Sequence, residues 1–170
     1  MAESNTVQRN ALSILISLIL LVLVIVGTII AFPGRITLLA GTPPTNLGVH
    51  SGQLAPCPST PNCVSSQSTD AEHSIEPFSY SSASRKAFAD LKTVIQSLNR
   101  TKVITETPNY LYTEFTSAIM GFVDDVEFYI DAGAKVIHVR SASRLGESDL
   151  GVNRQRIETI RTELNDLQKS

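Results

Sequence analysis

The chain has 170 residues, a formal net charge of −2 and 42% hydrophobic residues. Residues 41–170 suit one small domain with a single core, because such domains commonly have about 100–150 residues. No basic stripe of the kind that binds nucleic acid is visible, so we predict no nucleic-acid partner.

An uncharged apolar stretch runs from Ala11 to Phe32. The apolar core of a signal peptide has about 7–15 residues, whereas a membrane-spanning helix needs about 20. The length therefore predicts an uncleaved transmembrane anchor rather than a cleaved signal, with residues 1–10 as a short head and Pro33-Gly34 ending the helix. The membrane is the first predicted partner.

Orientation depends on few charges. Arg9 precedes the span and Arg35 follows it, and the free amino terminus adds a little positive charge to the head. Because positive charge favours the cytoplasmic side, we predict that the head stays inside and the C-terminal domain is exported.

Residues 33–54 are rich in Pro and Gly, a composition that resists helix and sheet. We interpret them as a tether that lifts the domain off the membrane. The soluble domain is then predicted over residues 55–170, beginning with an ordered loop to about Asp70.

This loop holds the two cysteines, Cys57 and Cys63. In an exported domain such a pair most simply forms a disulfide. Zinc is a weaker interpretation, because five intervening residues exceed the usual spacing, although His50 and His73 are near. We predict no metal and no cofactor. Cys63 could also be a nucleophile with His73 or His138 as its base, or both cysteines could be free buried thiols.

Hydrophobic periodicity predicts a compact alternation of strands and helices in the order β-α-β-β-β-β-α. A helix is indicated where Phe88, Leu91 and Val94 recur at helical spacing. Serines 81, 82 and 84 are its candidate N-caps. Both helices should cover one face of an antiparallel meander, giving a two-layer α+β sandwich. The predicted elements are strand His73–Tyr80, helix Ser84–Leu98, strands Lys102–Glu106, Tyr110–Ser117, Gly121–Asp131 and Ala134–Ser141, and helix Val152–Leu167.

The last two strands allow a register to be predicted. If Ala132-Gly133 is a two-residue turn, polar residues pair on one face and apolar residues on the other. On the polar face the pairs would be Tyr129–Val136, Glu127–His138 and Asp125–Arg140. On the apolar face they would be Phe128–Ile137 and Val126–Val139. The simplest interpretation of the polar pairs is an exposed ladder of low stabilising value. Asp124 would point inward, and Arg144 or the first amides of the last helix would be its partner.

The segment Arg140–Arg156 is the densest polar stretch of the chain. It joins a strand end, a loop and a helix start, where free amides and arginine forks can hold an anion. A small anionic ligand is one interpretation. The second is structural, with Asp149 or Ser148 capping the helix. The candidate ligand-binding residues are Arg140, Ser143, Arg144, Asp149, Asn153 and Arg154.

Three blocks of sequence together resemble the domain-of-unknown-function family 1499: CPSTPNCVSSQ, YLYTEFTSAIMGFVDDVEFYID and VRSASRLGESDLGVNRQRIETIR. The resemblance covers about Pro56 to Leu164. It implies no reaction and no catalytic residues, because the family has no assigned activity. The family's members in photosynthetic organisms are often exported or plastid proteins, which implies a periplasmic or thylakoid-lumen domain.

These observations lead to three functional hypotheses. The first is a membrane-tethered, extracytoplasmic binding or accessory domain that meets a small anionic ligand or a membrane-protein partner. The second is a hydrolase or thiol-dependent enzyme that uses Cys63 or the region of Asp124, His138 and Asp149. The chain has no nucleophile elbow or phosphate loop to favour it. The third is a structural assembly factor of a membrane complex.

Overall fold

A computed structural model of the chain describes residues 2–31 and 39–169. Residues 39–169 contain an antiparallel sheet with two helices on one face, which confirms the predicted α+β class. The elements are α1 Ala2–Ala31, β1 Cys63–Ser65, β2 Phe78–Ser79, α2 Ser84–Ser97, β3 Thr101–Thr107, β4 Tyr110–Thr116, β5 Val123–Asp131, β6 Val136–Ser143 and α3 Val152–Lys169.

Helix α1 contains the predicted apolar span. Its window Asn10–Thr28 has a mean hydropathy of 2.9, and none of it is buried inside the protein. By length and composition this helix could be a membrane span or a signal sequence. The predicted stop at Pro33-Gly34 lies outside the described residues. Helix α1 begins at Ala2, so residues 2–10 of the predicted head are helical.

The sheet has the strand order β1-β6-β5-β4-β3, and β2 also pairs with β6. The four strands β3 to β6 form the predicted meander. Strands β1 and β2 add to the free edge of β6 at different positions, Cys63 opposite Ala142 and Phe78 opposite Ile137. Both pairings are antiparallel.

The predicted register of β5 and β6 is wrong by two residues. Asp131 faces Val136, so the connection contains four residues, 132–135, instead of two. The side chain of Asp131 explains the wider turn, because its Oδ1 accepts hydrogen bonds from the amides of Gly133 and Ala134, both at 2.9 Å. The observed pairs are Asp125–Ala142, Val126–Ser141, Glu127–Arg140, Phe128–Val139, Tyr129–His138 and Ile130–Ile137.

A shift by two residues keeps every side chain on its predicted face. Val126, Phe128 and Val139 are fully buried beneath the two helices. Helix α2 adds Leu91 and Ile95 to this core. Helix α3 contributes the apolar stripe Ile157, Ile160 and Leu164. Burial of these stripes stabilises the sandwich by about 25 cal/mol for each Å² of apolar surface removed from water.

The other face of the sheet is covered, which the sequence interpretation did not anticipate. Residues 47–54, assigned to the tether, lie across it, and Leu54 packs with Tyr110 and Tyr112. We call residues 41–54 the strap. The Gly48 amide donates to Glu127 Oε1 at 2.7 Å, and the Leu54 amide donates to Gln67 Oε1 at 2.8 Å.

At the start of the domain, one predicted strand is shorter than expected and one strand was not predicted. The strand predicted over His73–Tyr80 is only Phe78–Ser79, because Pro77 has no amide to donate. The His73 carbonyl and the Ile75 amide bond instead to the backbone of Ser65. Strand β1 was not predicted, since three residues within a Pro-rich loop give no periodic signal.

The N-cap of α2 also differs from the prediction. The cap residue is Ala83, which makes no side-chain hydrogen bond to the helix. The neighbouring serine hydroxyls bond elsewhere, Ser82 Oγ to the Ala83 carbonyl and Ser84 Oγ with the Tyr80 hydroxyl.

Candidate functional site: polar clusters on both faces of the sheet

Asn153, in the first turn of α3, is the centre of a buried polar cluster. Its side chain is fully buried, and its Nδ2 donates to the Asn62 carbonyl at 3.0 Å and to Ser143 Oγ at 2.9 Å. Its Oδ1 accepts from Ser141 Oγ and from Arg156 Nη1. Every hydrogen-bonding group of this amide is therefore satisfied within the protein, as buried polar groups require.

Asp149 caps the start of α3, as the structural interpretation of the segment Arg140–Arg156 predicted. Its Oδ2 accepts from the Asn153 amide at 2.7 Å, and its Oδ1 accepts from the Gly151 amide at 3.0 Å. A carboxylate at this position satisfies free amides and interacts favourably with the helix dipole.

The inward-pointing Asp124 pairs with Arg156 rather than with the predicted Arg144. Arg156 Nη2 donates to Asp124 Oδ2, and the guanidinium lies 4.9 Å from the centre of the Phe115 ring. The alternation of strand side chains explains the correction. Asp124 lies on the helix face, whereas Arg144 follows Ser143 and turns to the face under the strap.

Arg144 is held by three acceptors on the strap face. Its Nε donates to Asp125 Oδ2 at 3.0 Å, its Nη2 donates to Asp125 Oδ1 at 2.7 Å, and the Glu114 carboxylate also accepts from Nη2. The Tyr112 hydroxyl accepts a further bond at 3.1 Å. Burial opposes the charged form of Arg144, but the bonds to Asp125 and Glu114 outweigh it and raise its pKa.

Arg140 belongs to a second buried group on the same face. Its Nη1 donates to Glu127 Oε2 at 3.3 Å, and Glu127 is fully buried. The Tyr110 hydroxyl donates to Glu127 Oε1 at 2.8 Å. Burial, followed by the Glu127 charge, raises the pKa of Tyr110. Among the described residues Arg140 Nε has no hydrogen-bond partner. The predicted exposed ladder is thus a buried network.

Arg154 connects α3 to the loop before β2. Its Nη1 donates to the Ser74 carbonyl and its Nη2 donates to the Glu72 carbonyl, both at 2.8 Å. The six candidate ligand-binding residues therefore do not form one site. Ser143, Asp149 and Asn153 are together at the start of α3, Arg140 and Arg144 lie on the opposite face, and Arg154 is separate.

The structure contains the predicted disulfide between Cys57 and Cys63. The loop that it closes contacts the polar segment directly. Asn62 Nδ2 donates to the Gly146 carbonyl at 2.6 Å, and the Ser143 amide donates to the Asn62 carbonyl at 3.0 Å. Asn62 was not a candidate residue, because no pattern in the sequence connects it to a loop so distant along the chain.

His73 and Asp70 form an ion pair beside this loop that the sequence did not indicate. His73 Nδ1 lies 2.7 Å from Asp70 Oδ1, and Nε2 lies 3.1 Å from the Thr60 carbonyl oxygen. The bond to Thr60 and the Asp70 carboxylate raise the pKa of His73. Hydrogen bonds from Ser68 and from the His73 amide lower the pKa of Asp70. Each ring nitrogen of His73 thus faces an oxygen acceptor, an arrangement that favours the protonated ring.

The residues of the enzyme hypothesis are not assembled into a catalytic group. Cys63 is bonded to Cys57, so it offers no thiolate. Asp124 and His138 lie on opposite faces of the sheet by the observed register. His138 Nδ1 lies 3.1 Å from Ser66 Oγ, and burial lowers the pKa of His138. Within residues 2–31 and 39–169, no three His, Cys, Asp or Glu side chains are grouped as metal ligands.

The fold and these clusters define a small disulfide-bonded α+β domain that follows an N-terminal apolar helix, and its buried polar groups bond to one another. Residues 53–164 match the family model described as "Protein of unknown function (DUF1499)". The chain belongs to this family, which confirms the resemblance found in the sequence. No curated protein matches the chain.

Proposed function

We propose that the chain is a membrane-tethered, extracytoplasmic accessory domain that acts by contact with a partner. The observation that carries this proposal is helix α1, whose apolar window is entirely exposed while the soluble domain has a closed core of its own. An apolar surface of this length requires lipid around it.

The disulfide supports the extracytoplasmic side. Disulfides persist in oxidising compartments such as the periplasm and are rare in a reducing cytosol. The Cys57–Cys63 bond thus agrees with the orientation inferred from Arg9 and Arg35. A periplasm or a thylakoid lumen suits both features.

The polar clusters support an accessory role more than a small-ligand site. Arg140, Arg144 and Arg154 each donate to carboxylates or carbonyls of the same chain, and Asn153 is fully buried. An anion would have to displace these internal bonds. We therefore assign these residues to bracing of the loops that a partner contacts.

Two measurements on native membranes test the proposal: alkaline extraction, and native mass spectrometry of the protein that is retained. Membranes that contain the full chain are washed at alkaline pH, and the retained protein is then solubilised gently for native mass spectrometry. We expect the full-length chain in the pellet, with its disulfide intact and a partner bound. A soluble mature protein that begins near Gly41, or a retained small anion with no macromolecular partner, would contradict the proposal.

A further inference from the structure

The exposed apolar side chains of the soluble domain are concentrated at one end of the sheet. In residues 39–169, all of the exposed large apolar residues except Ile104 lie on the β4–β5 loop or between β6 and the first residue of α3. They are Ile119, Met120, Phe122, Leu145, Leu150 and Val152. Single exposed apolar residues are ordinary, but a group of them marks a contact surface.

The two loops lie side by side. The Arg144 amide donates to the Val123 carbonyl at 3.2 Å, and Asp124 pairs with Ser143 at the adjoining strand ends. We call residues 117–122 and 144–152 the apolar end. The turns β3–β4 and β5–β6 are at the opposite end of the sheet, and Ala134 in the second of these is exposed.

Leu150 illustrates the cost of this surface. It is 94% exposed, and its φ of 55° lies in the left-handed region. A leucine is unfavourable in that conformation, where glycine or asparagine would be ordinary. Neither folding nor solubility is improved by this residue, whereas a contact outside the domain would use its side chain.

The chain from the membrane enters the domain at this same end. Gly41 packs so tightly against the β6–α3 loop that a Cβ on it would lie 2.8 Å from Arg144 Cβ and 3.1 Å from Leu145 Cγ. Ala31, the last residue of α1, is ten peptide units before Gly41. A fully extended chain of that length spans at most about 36 Å. The apolar end therefore cannot move far from the membrane surface.

We propose that the apolar end docks on the lipid bilayer that holds α1, inserting its loop tips among the lipids. This inference rests on the proposed function, because it needs α1 to be retained in the membrane. Glu147, on the β6–α3 loop, is exposed and acidic, and loop 117–122 has no charged residue. The apolar end is therefore expected to contact the acyl chains near the bilayer surface rather than anionic headgroups.

Fluorescent probes on the full chain test this inference in vesicles of phosphatidylcholine alone. Ile119→Cys and Leu150→Cys are labelled with the environment-sensitive fluorophore NBD without reductant, so that the Cys57–Cys63 disulfide stays closed. The matched control is Ala134→Cys, an exposed position at the opposite end of the sheet. Lipids carrying a nitroxide on the acyl chain serve as quenchers.

We expect blue-shifted emission and at least threefold stronger quenching for the probes at 119 and 150 than for the probe at 134. Ile119→Glu in the Leu150→Cys chain should weaken the quenching, with tyrosine fluorescence showing an unchanged fold. Equal, water-like emission at all three positions overturns the inference. So does shielding at 119 and 150 that occurs in native membranes but not in pure lipid, because a protein then covers this end.

Alkaline extraction of the same vesicles separates this inference from the proposed function. A chain that stays in the vesicles with water-exposed probes refutes docking and leaves the anchor proposal intact. A chain that is extracted refutes both.

Discussion

Each of the three buried carboxylates on β5 has an arginine of its own. Asp124 pairs with Arg156, Asp125 with Arg144 and Glu127 with Arg140. Burying a charge without a partner costs several kcal/mol, whereas a matched pair with further hydrogen bonds approximately offsets its desolvation. These arginines therefore fix which loops lie against the sheet, more than they add net stability.

The Arg144 network gives a stability prediction. Arg144→Met leaves the buried Asp125, and Glu114 beside it, without their cation, so we expect a loss of about 3–5 kcal/mol in the free energy of unfolding. Arg154→Met, which removes bonds to two carbonyls only, should cost about 1–2 kcal/mol. Urea unfolding of the full chain in mild detergent measures both, with the four domain tyrosines as fluorescent reporters.

A double variant provides the control for this prediction. Asp125→Asn removes the charge that Arg144 neutralises, so Arg144→Met should cost less in that background than alone. Additive losses would show that Arg144 acts through packing and not through charge.

The His73–Asp70 pair predicts a pH dependence. The pKa of His73 is raised above 6.5, so its contribution to stability is fully present below pH 6.5 and is lost as pH rises through the raised value. The difference in free energy of unfolding between wild type and His73→Gln should therefore shrink as pH increases above 6.5. Chemical unfolding at a series of pH values measures this difference.

His138→Gln is the matched control, because burial lowers the pKa of His138. Its neutral form is favoured in the folded chain, so its contribution is lost as pH falls below 6.5. The two difference curves should slope in opposite directions. A flat curve for His73→Gln would mean that folding does not change the pKa of this histidine, and a slope like that of His138→Gln would mean that the folded chain favours its neutral form.

At the scale of elements, two irregular segments pack against the sheet and its connections: the Cys57–Cys63 disulfide loop and the strap. The Cys57–Cys63 loop bonds to the β6–α3 connection through Asn62, and the strap bonds to Glu127 through Gly48. Both segments are irregular in structure and rich in Pro or Gly, yet both satisfy buried polar groups.

Removal of the disulfide tests the role of this loop. A bond that closes so short a loop should contribute about 2 kcal/mol by the chain-entropy estimate. We expect Cys57→Ser with Cys63→Ser to lose about that amount, and to reduce the hydrogen-exchange protection of the Ser143 amide, which bonds to Asn62. Unchanged protection of Ser143 would show that Asn62 holds its place without the disulfide.

Local pattern was sufficient to predict the long elements. The helical stripes of α2 and α3 and the strands of the meander lie within a few residues of their predicted bounds, because their apolar residues repeat with the period of the element. The register failed by two residues because Asp131 builds a turn through its own side chain. The length of this turn depends on one carboxylate, and the two-residue shift leaves the face of every strand residue unchanged.

The side-chain partners within the candidate site were harder to predict from the sequence than the elements. Asp124 was correctly expected to point inward and to need a partner, but no pattern in the sequence identified Arg156, rather than the nearer Arg144, as that partner. The strap was not expected to cover the sheet, because Pro and Gly suppress periodicity without preventing burial. Because the strap covers the polar face of the sheet, Glu127 and Arg140 are buried and not on the surface.

At the scale of the whole molecule, we propose from the apolar helix, the disulfide and the apolar end that the domain is held close to the outer surface of a membrane. The helix makes no buried contact within the protein over Asn10–Thr28, and the domain's own core is complete without it. The ten peptide units between Ala31 and Gly41 limit the distance from the helix to the strap. Membrane attachment and the side on which the domain lies are therefore the properties to test first.

Labelling of single introduced cysteines in intact cells tests membrane attachment and sidedness most directly. Ser4→Cys in the head and Ala134→Cys in the domain are each exposed to a membrane-impermeant maleimide, and only protein that resists alkaline extraction is measured. We expect immediate labelling of position 134 and labelling of position 4 only after the membrane is permeabilised. Labelling of position 4 with protection of position 134, or no protein in the alkaline-resistant fraction, would contradict it.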